Sequence, residues 1–238
     1  MKTYLYVLSI INFMWSGDLL ASGRDEHSFL IVANGPFDLE VVEKYTEICE
    51  TVALDGAANK LLQHGLTPQI ILGDMDSISE EACSAFKQVE FIPALNQDYT
   101  DLEKGIEFCK DRGARSIIIT CALGGDRIDH TLANFSILKR QYQRGISITL
   151  QTSNKITQFL QDEEVTFEAP IGGKFGLFGF PAAVGSSRGK AGAKGLEWEL
   201  NNYSLRLGEQ ESACNIIKSS PVTISVSGEA LMVRPIKL

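Results

Sequence analysis

The chain has 238 residues, 44% of them hydrophobic and 22% charged, enough apolar material for one large domain or two modest ones. Thirty Asp and Glu against 22 Lys and Arg leave a formal charge of −8. That balance excludes a broad nucleic-acid face, which must neutralise many phosphates, and means that an acidic protein handling phosphates needs metal cations. The five cysteines (Cys49, Cys83, Cys109, Cys121, Cys214) are odd in number and lack CxxC spacing, so reduced thiols in a cytoplasmic protein are expected rather than a disulfide framework or zinc site.

In chain order, Lys2 is followed by TYLYVLSIINFMW with LLASG behind it, an apolar run of signal-core length that is too short to span a membrane. An export signal, a misassigned start with Met14 as the true one, and an N-terminal strand stay open for residues 1–28. No other segment reads as targeted or membrane-associated.

From Phe29 the chain alternates apolar runs with amphipathic stretches. FLIVA (29–33), TVAL (51–54), QIIL (69–72), VEFI (89–92), SIIIT (116–120) and ISITL (146–150) read as strands. DLEVVEKYTEIC, AANKLLQHG, EEACSAFKQ, DLEKGIEFCKDRG and HTLANFSILKRQYQRG between them read as helices. Strand and helix in alternation predict a parallel sheet covered on both faces, a three-layer α/β domain over residues 29–151. Capping boxes at Ser77/Glu80 and Thr100/Glu103 place two helix starts.

Beyond residue 152 helical periodicity stops. EVTFEA, GKFGLFGF, GLEWELNN and VTISVSG read as short strands, predicting an all-β sandwich domain over 152–238. The stretch GSSRGKAGAKG (185–195) reads as a flexible connection; its spacing before Lys190 is one residue short of a phosphate loop, and Ala191 stands where Ser or Thr belongs.

Charged residues cluster where the predicted parallel strands end. Asp55 follows TVAL, Asp74 and Asp76 follow QIIL, Asp98 and Asp101 follow VEFIPA, and Asp126, Arg127 and Asp129 follow SIIITCAL. All such ends share one edge of the sheet, where open α/β folds bind ligands. Aspartate is also a common turn and cap residue, which suffices for Asp55 or Asp98 taken alone. The Asp74/Asp76 pair is different, because two adjacent ionised carboxylates repel and a divalent cation relieves the cost. Oxygen ligands without a nearby His or Cys point to Mg²⁺ on a polyphosphate, with Asp101 as a third ligand; His27, His64 and His130 read as ordinary histidines. Arg127 supplies a planar positive fork for phosphate, or a salt bridge to Asp126 or Asp129.

At this point the residues carry a family resemblance. DGAANKL (55–61), GDMDSI (73–78), QDYTDLEK (97–104) and RIDHTLAN (127–134) resemble four successive signatures of thiamine pyrophosphokinases, and GLEWEL (195–200), Leu207-Gly208 and SACN (212–215) resemble the thiamine-side signature. The resemblance spans residues 29–238. It implies transfer of the pyrophosphoryl group of ATP to thiamine, an α/β nucleotide domain plus a β-sandwich, and a homodimer with thiamine between subunits. Carried over by residue, it implies that Asp74, Asp76 and Asp101 hold Mg²⁺ and act with Arg127 in catalysis. Asp55, Asp98, Arg127 and Asp129 line the ATP and phosphate path, and Gln97, Asp129, Trp198 and Ser212 lie near thiamine. Asp126, Ala57 and Cys214 depart from the pattern, where glycine, glycine and serine are usual. A pyrophosphokinase for another small alcohol such as a pterin, or a non-catalytic thiamine or nucleotide sensor, are the alternatives.

Overall fold

The computed structural model describes residues 27–187 and 195–236. The readings for residues 1–26, and for 188–194 of the glycine-rich connection, lie outside the described residues.

Six strands form the parallel part of the sheet: β1 (Ser28–Val32), β2 (Glu50–Leu54), β3 (Ile70–Gly73), β4 (Glu90–Pro93), β5 (Ser116–Thr120) and β6 (Ser147–Thr152). Their spatial order is β6-β5-β1-β2-β3-β4, every neighbouring pair being parallel. The chain runs outward from β1 to β4 and then returns to the other side of β1, so the sheet's topological switch lies between β1 and β5. The pleat divides β1 between two cores. Leu30 and Val32 pack with Val41, Val42 and Tyr45 of α1 (Leu39–Thr46), Ala57 and Leu61 of α2 (Ala57–Gln63), and Ala82 of α3 (Glu80–Ala85). Phe29 and Ile31 face the other way, against Leu102, Ile106 and Cys109 of α4 (Asp101–Asp111) and Ile137 and Leu138 of α5 (Ile128–Gln141). Burial on both faces is why these strands read as unbroken apolar runs. Helix α4 sits close on the sheet because Gly105 has no side chain; a Cβ there would lie 2.9 Å from Leu54 Cδ2.

The sheet continues without interruption into the second half of the chain. β7 (Lys155–Phe167) pairs antiparallel with β6 and with β11 (Val222–Pro235), which pairs with β8 (Lys174–Ser187); β9 (Tyr203–Leu205) and β10 (Ser212–Ile216) complete it on β8. A third core of Leu160, Phe175, Leu177, Leu196, Leu205, Ile217 and Ile224 fills this β-sandwich. The long strands serve two cores, since Phe159 and Leu231 pack with Ile137 and Leu138 of α5.

Four sequence expectations need correction. The β7 strand begins at Lys155, well before EVTFEA, because its first half is paired on both sides and Ile156, Thr157, Phe159 and Leu160 are all buried, which erases the alternation of a half-exposed strand. GLEWELNN is not a strand: only Leu196 forms a bridge, to Ile217, and the backbone of Trp198 bonds to the Asn215 side chain instead of a ladder. The cap of α3 is Ser79, whose hydroxyl accepts from Ala82 N–H, rather than Ser77, which is turned to the acidic cluster. Residues 185–187 of the glycine-rich stretch belong to β8. The Thr100/Glu103 box is present as expected.

Candidate active site

The acidic site is built where β2 and β3 end. The chain leaves β2 through Asp55 at φ 42° and leaves β3 through Met75 at φ 68°, left-handed conformations that cost a non-glycine residue free energy and that concentrate at functional sites. Gly73 brings the two turns together, because a Cβ on it would lie 2.8 Å from Asp55 Cβ. Side-chain oxygens of Asp55, Asp74 and Asp76 consequently lie within 4.8 Å of one another.

Hydrogen bonds hold this arrangement from several elements. Ser77 N–H donates to Asp55 Oδ2 at 3.2 Å, and the Ser77 hydroxyl donates to Asp76 Oδ1 at 2.8 Å. Gln97 Nε2 donates to Asp74 Oδ2 at 3.2 Å. Asn59, on α2, clamps the far end of the loop: its Nδ2 donates to Ser77 O at 2.8 Å and its Oδ1 accepts from Ser79 N–H at 2.9 Å. Asp55 is only 6% exposed, and its Oδ1 is buried without a hydrogen-bond partner. Burial pushes its carboxyl up, with Asp74 and Asp76 adding to the shift against the Ser77 bonds. The Gln97 hydrogen bond holds Asp74 below the usual carboxylate range. A buried acceptor with no donor, beside two further carboxylates, fits a hard divalent cation better than any protein partner present.

The other predicted residues occupy the same edge without joining that group. Asp101 is engaged by Lys104 Nζ at 3.0 Å, and Lys104 also donates to Ala94 O. Asp98 is exposed, its N–H bonded to Asn96 Oδ1. Arg127 grips Asp129 rather than Asp126, with Nε to Oδ1 at 2.9 Å and Nη2 to Oδ2 at 2.6 Å. This fork holds the Asp129 carboxyl down at about 2. Asp126 is exposed, and Ala57 is absorbed in the core beneath α2.

On the β-sandwich, Trp198 is 58% exposed and so is no core aromatic. Asn215, 2% exposed, holds its backbone at both ends: Trp198 N–H donates to Oδ1 at 3.1 Å, and Nδ2 donates to Trp198 O at 2.7 Å. The same Nδ2 reaches Ser212 Oγ at 3.3 Å, while Cys214 beside it is exposed. Asn59, Lys104 and Asn215 lie inside the sequence motifs, but nothing in their local sequence assigns them a role. The missed signal at Asn59 was its place in the first turn of a helix that starts at the acidic loop.

The model described as thiamin pyrophosphokinase, catalytic domain matches residues 43–150, and that described as thiamin pyrophosphokinase, vitamin B1 binding domain matches residues 185–231. Thiamine pyrophosphokinase 2 of Oryza sativa subsp. japonica is 28% identical over 230 residues, covering 85% of this chain and 84% of the relative. Thiamin pyrophosphokinase 1 of Caenorhabditis elegans is 26% identical over 189 residues, 76% of each chain. The crystal structure of thiamine pyrophosphokinase from Bacillus subtilis superposes with a TM-score of 0.76 at 25% identity, covering 89% of this chain and all of that one. With matches to both domains in chain order, a shared fold, and an acidic strand-end site inside the catalytic match, the chain belongs to the thiamin pyrophosphokinase family.

Proposed function

We propose that the acidic edge carries out Mg²⁺-dependent transfer of the pyrophosphoryl group of ATP to the hydroxyethyl oxygen of thiamine, giving thiamine diphosphate and AMP. The pyrophosphotransferase activity is that of the family, and the chain is an enzyme of that class. Family membership does not favour a pterin pyrophosphokinase or a sensor. The observation that carries the metal reading is the unpartnered, buried Oδ1 of Asp55, a carboxylate that clusters within 4.8 Å of those of Asp74 and Asp76.

Asp55, Asp74 and Asp76 would hold Mg²⁺, which when bound offsets charge on the phosphate oxygens. Asp101 remains a candidate fourth carboxylate ligand, provided it leaves Lys104. The chain's own groups supply position. Gln97 fixes the Asp74 carboxylate, Asn59 and Ser77 fix the loop between Asp74 and Ser79, and the exposed Arg127 fork can exchange Asp129 for a phosphate. Little covalent help is needed for such a loose transition state. Asp98 and Asp129 line the phosphate path in this reading, and Gln97, Asp129, Ser212 and Trp198 contact thiamine. The Trp198 face suits the cationic thiazolium or flat pyrimidine, through an interaction worth about 0.5–2 kcal/mol.

We further propose the division of labour read from the sequence, with 29–151 serving ATP and 152–238 serving thiamine and a homodimer interface. The compartment we propose is the cytoplasm, consistent with five free cysteines. Among the described residues no helix is long and apolar enough to cross a membrane.

The test is incubation of the purified chain with ATP, Mg²⁺ and thiamine. AMP and thiamine diphosphate should form in equal amounts and stop on chelation; ADP with thiamine monophosphate, or no product, overturns the reading. Mixing Asp76→Asn with Trp198→Ala subunits tests the shared site, since random pairing leaves roughly a quarter of sites intact. Verified mixed dimers no more active than the parents' average would refute it.

A further inference from the structure

The Arg127 fork stands at the end of a loop that has little of its own to hold it. β5 ends at Thr120, and the chain reaches Arg127, the N-cap of α5, through Cys121 at φ 57° and through Gly124 and Gly125, each at φ 79°. Two successive glycines make that turn possible and also leave it loose, because a glycine backbone has the most freedom to lose on ordering. Packing restrains little of it. A Cβ at Gly124 would find no atom within 4 Å, and one at Gly125 would meet only the Pro36 ring, at 3.2 and 3.4 Å. No side chain caps α5 at its start either, since a guanidinium at the N-cap has no acceptor to offer the first amides.

Two side chains of α5 reach back to the loop instead. Thr131 Oγ1 accepts from Gly124 N–H at 3.1 Å, and Asn134 Nδ2 donates to Ala122 O at 2.7 Å. Among the described residues, the chain from Ala122 to Gly125 makes no other hydrogen bond. The two bonds fall on either side of Leu123, so they stop the loop from pivoting about a single anchor. Their origin lies in the helix pattern. Thr131, Asn134 and Leu138 follow the i, i+3, i+7 spacing of one helix face, and Leu138 is buried in the core. Such an inward stripe is ordinarily apolar along its length. Here its first two turns carry a hydroxyl and an amide, because a loop with open backbone groups lies beside them.

The acidic cluster is held by a separate set of bonds, from Asn59, Ser77 and Gln97. The pairing of Arg127 with Asp129 is local to the start of α5 and survives a loosened loop. What the loop sets is where that fork stands relative to the carboxylates.

We propose that Thr131 and Asn134 are positioning residues for the transfer, fixing the Ala122–Gly125 loop so that Arg127 meets the phosphates at one place. The proposal rests on the reading of Arg127 as a phosphate contact given above and deepens it by two residues. Neither side chain touches the phosphates or the acidic cluster in this reading; both act through the loop.

Thr131→Val keeps the shape of the side chain and removes its oxygen, Thr131→Ser keeps the oxygen, and Asn134→Ala removes the second bond. The probes are inorganic diphosphate with Mg²⁺, titrated calorimetrically, and Mn²⁺ alone, followed by electron paramagnetic resonance, on variants that a thermal melt shows to be folded. Thr131→Val and Asn134→Ala should each weaken diphosphate and lower kcat about tenfold, inside the roughly hundredfold that a misplaced group can cost. Mn²⁺ affinity should hold in both, and Thr131→Ser should recover most of the loss. Diphosphate affinity and kcat unchanged in both folded variants overturn the proposal. So does a loss in Thr131→Ser as large as in Thr131→Val, or an equal loss of Mn²⁺ affinity, which a general loosening of the domain would produce. If Asn134→Ala does not fold, the Val and Ser pair at Thr131 decides alone. If wild type makes no thiamine diphosphate yet binds diphosphate, and Thr131→Val weakens it, the reaction assignment fails and the positioning role stands. If wild type is active and both variants match it, the positioning role fails alone. A wild type that binds no diphosphate overturns both.

Discussion

The acidic edge of the α/β region and the Trp198 segment of the sandwich are held in opposite ways. Around Asp74 and Asp76, bonds converge from Asp55, Asn59, Ser77 and Gln97, which come from the end of β2, from α2, from the loop itself and from the loop after β4. Trp198 stands 58% exposed, near-neighbours Tyr203 and Leu207 stand 41% and 55% exposed, and one side chain, Asn215, grips the backbone at Trp198. The difference follows from the groups displayed. Like charges held side by side repel and spread unless several bonds oppose them. An exposed aromatic needs only a fixed backbone, because its surface is useful as soon as something covers it.

The largest effect should come from the acidic edge. Asp76→Asn keeps the Ser77 contact possible but removes a charge from the proposed metal site, and should lower turnover about a hundred- to thousandfold, the scale for losing one strong electrostatic contact in a transition state. Asp76 is exposed, so its thermal midpoint should stay within about 2 °C of wild type. Steady-state kinetics beside a thermal melt checks both halves. Turnover close to normal at ordinary Mg²⁺ removes Asp76 from the metal site.

Asn215→Ala should reverse that pattern. The side chain is buried and bonds Trp198 N–H, Trp198 O, Ser212 Oγ and Ile216 N–H, so truncation leaves part-buried backbone groups without their partner. Stability should fall by about 1–3 kcal/mol, the order expected when two or three part-buried bonds lose their partner. Urea unfolding measures it. A loss below about 0.5 kcal/mol, within the range of ordinary surface substitutions, would mean the segment is supported elsewhere.

The α/β region was more legible in sequence for the same physical reason. Strand pairs buried on both faces demand unbroken branched runs such as SIIIT, and a charged cluster demands Asp at strand ends, so fold and site leave marks that a local reading finds. Asp55 shows where that reading stops. Its sequence neighbourhood suggests a turn residue, and only the approach of Gly73 to its Cβ shows that it, rather than Asp101, joins Asp74 and Asp76. Asp101 stands outside that group, with its carboxylate on Lys104, one helical turn on. In the sandwich, Trp198 and Asn215 are 17 residues apart, and GLEWELNN looked like a strand because nothing local reveals that a distant amide replaces the ladder. Long pairings across bulges, as between β7 and β11, carry no local signature either.

Asn59 offers a milder probe, because it touches the loop and none of the carboxylates. Asn59→Ala frees Ser77 O and Ser79 N–H and loosens the peptide that orients Asp76. Residues that orient ligands cost about 10–100-fold in metal affinity when removed. The Mg²⁺ needed for half-maximal activity should rise about tenfold, and Mn²⁺ binding followed by electron paramagnetic resonance should weaken in parallel without substrate present. Unchanged Mn²⁺ affinity would show that Asp55 and Ser77 hold the loop alone.

The smallest effect concerns the exposed Arg127 and Asp129 pair, and it tests whether part of the edge is spring-loaded rather than fixed. The guanidinium lowers the Asp129 carboxyl from the ordinary 3.8 to about 2. For an acid with a depressed folded value, the pair's contribution is complete above about 3.8 and is lost as pH falls toward about 2. Both side chains are open to solvent, at 65% and 64% exposure, so screening leaves that contribution small, and Arg127→Ala should melt with wild type at neutral pH. A carbon-13 titration of the carboxyl should still move its midpoint from about 2 back toward 3.8 in the variant. In wild type, adding Mg²⁺ and inorganic diphosphate should produce the same upward movement, because a phosphate that takes the fork releases Asp129. A midpoint that ignores diphosphate would mean that Arg127 stays with its neighbour and that the phosphate path runs past it.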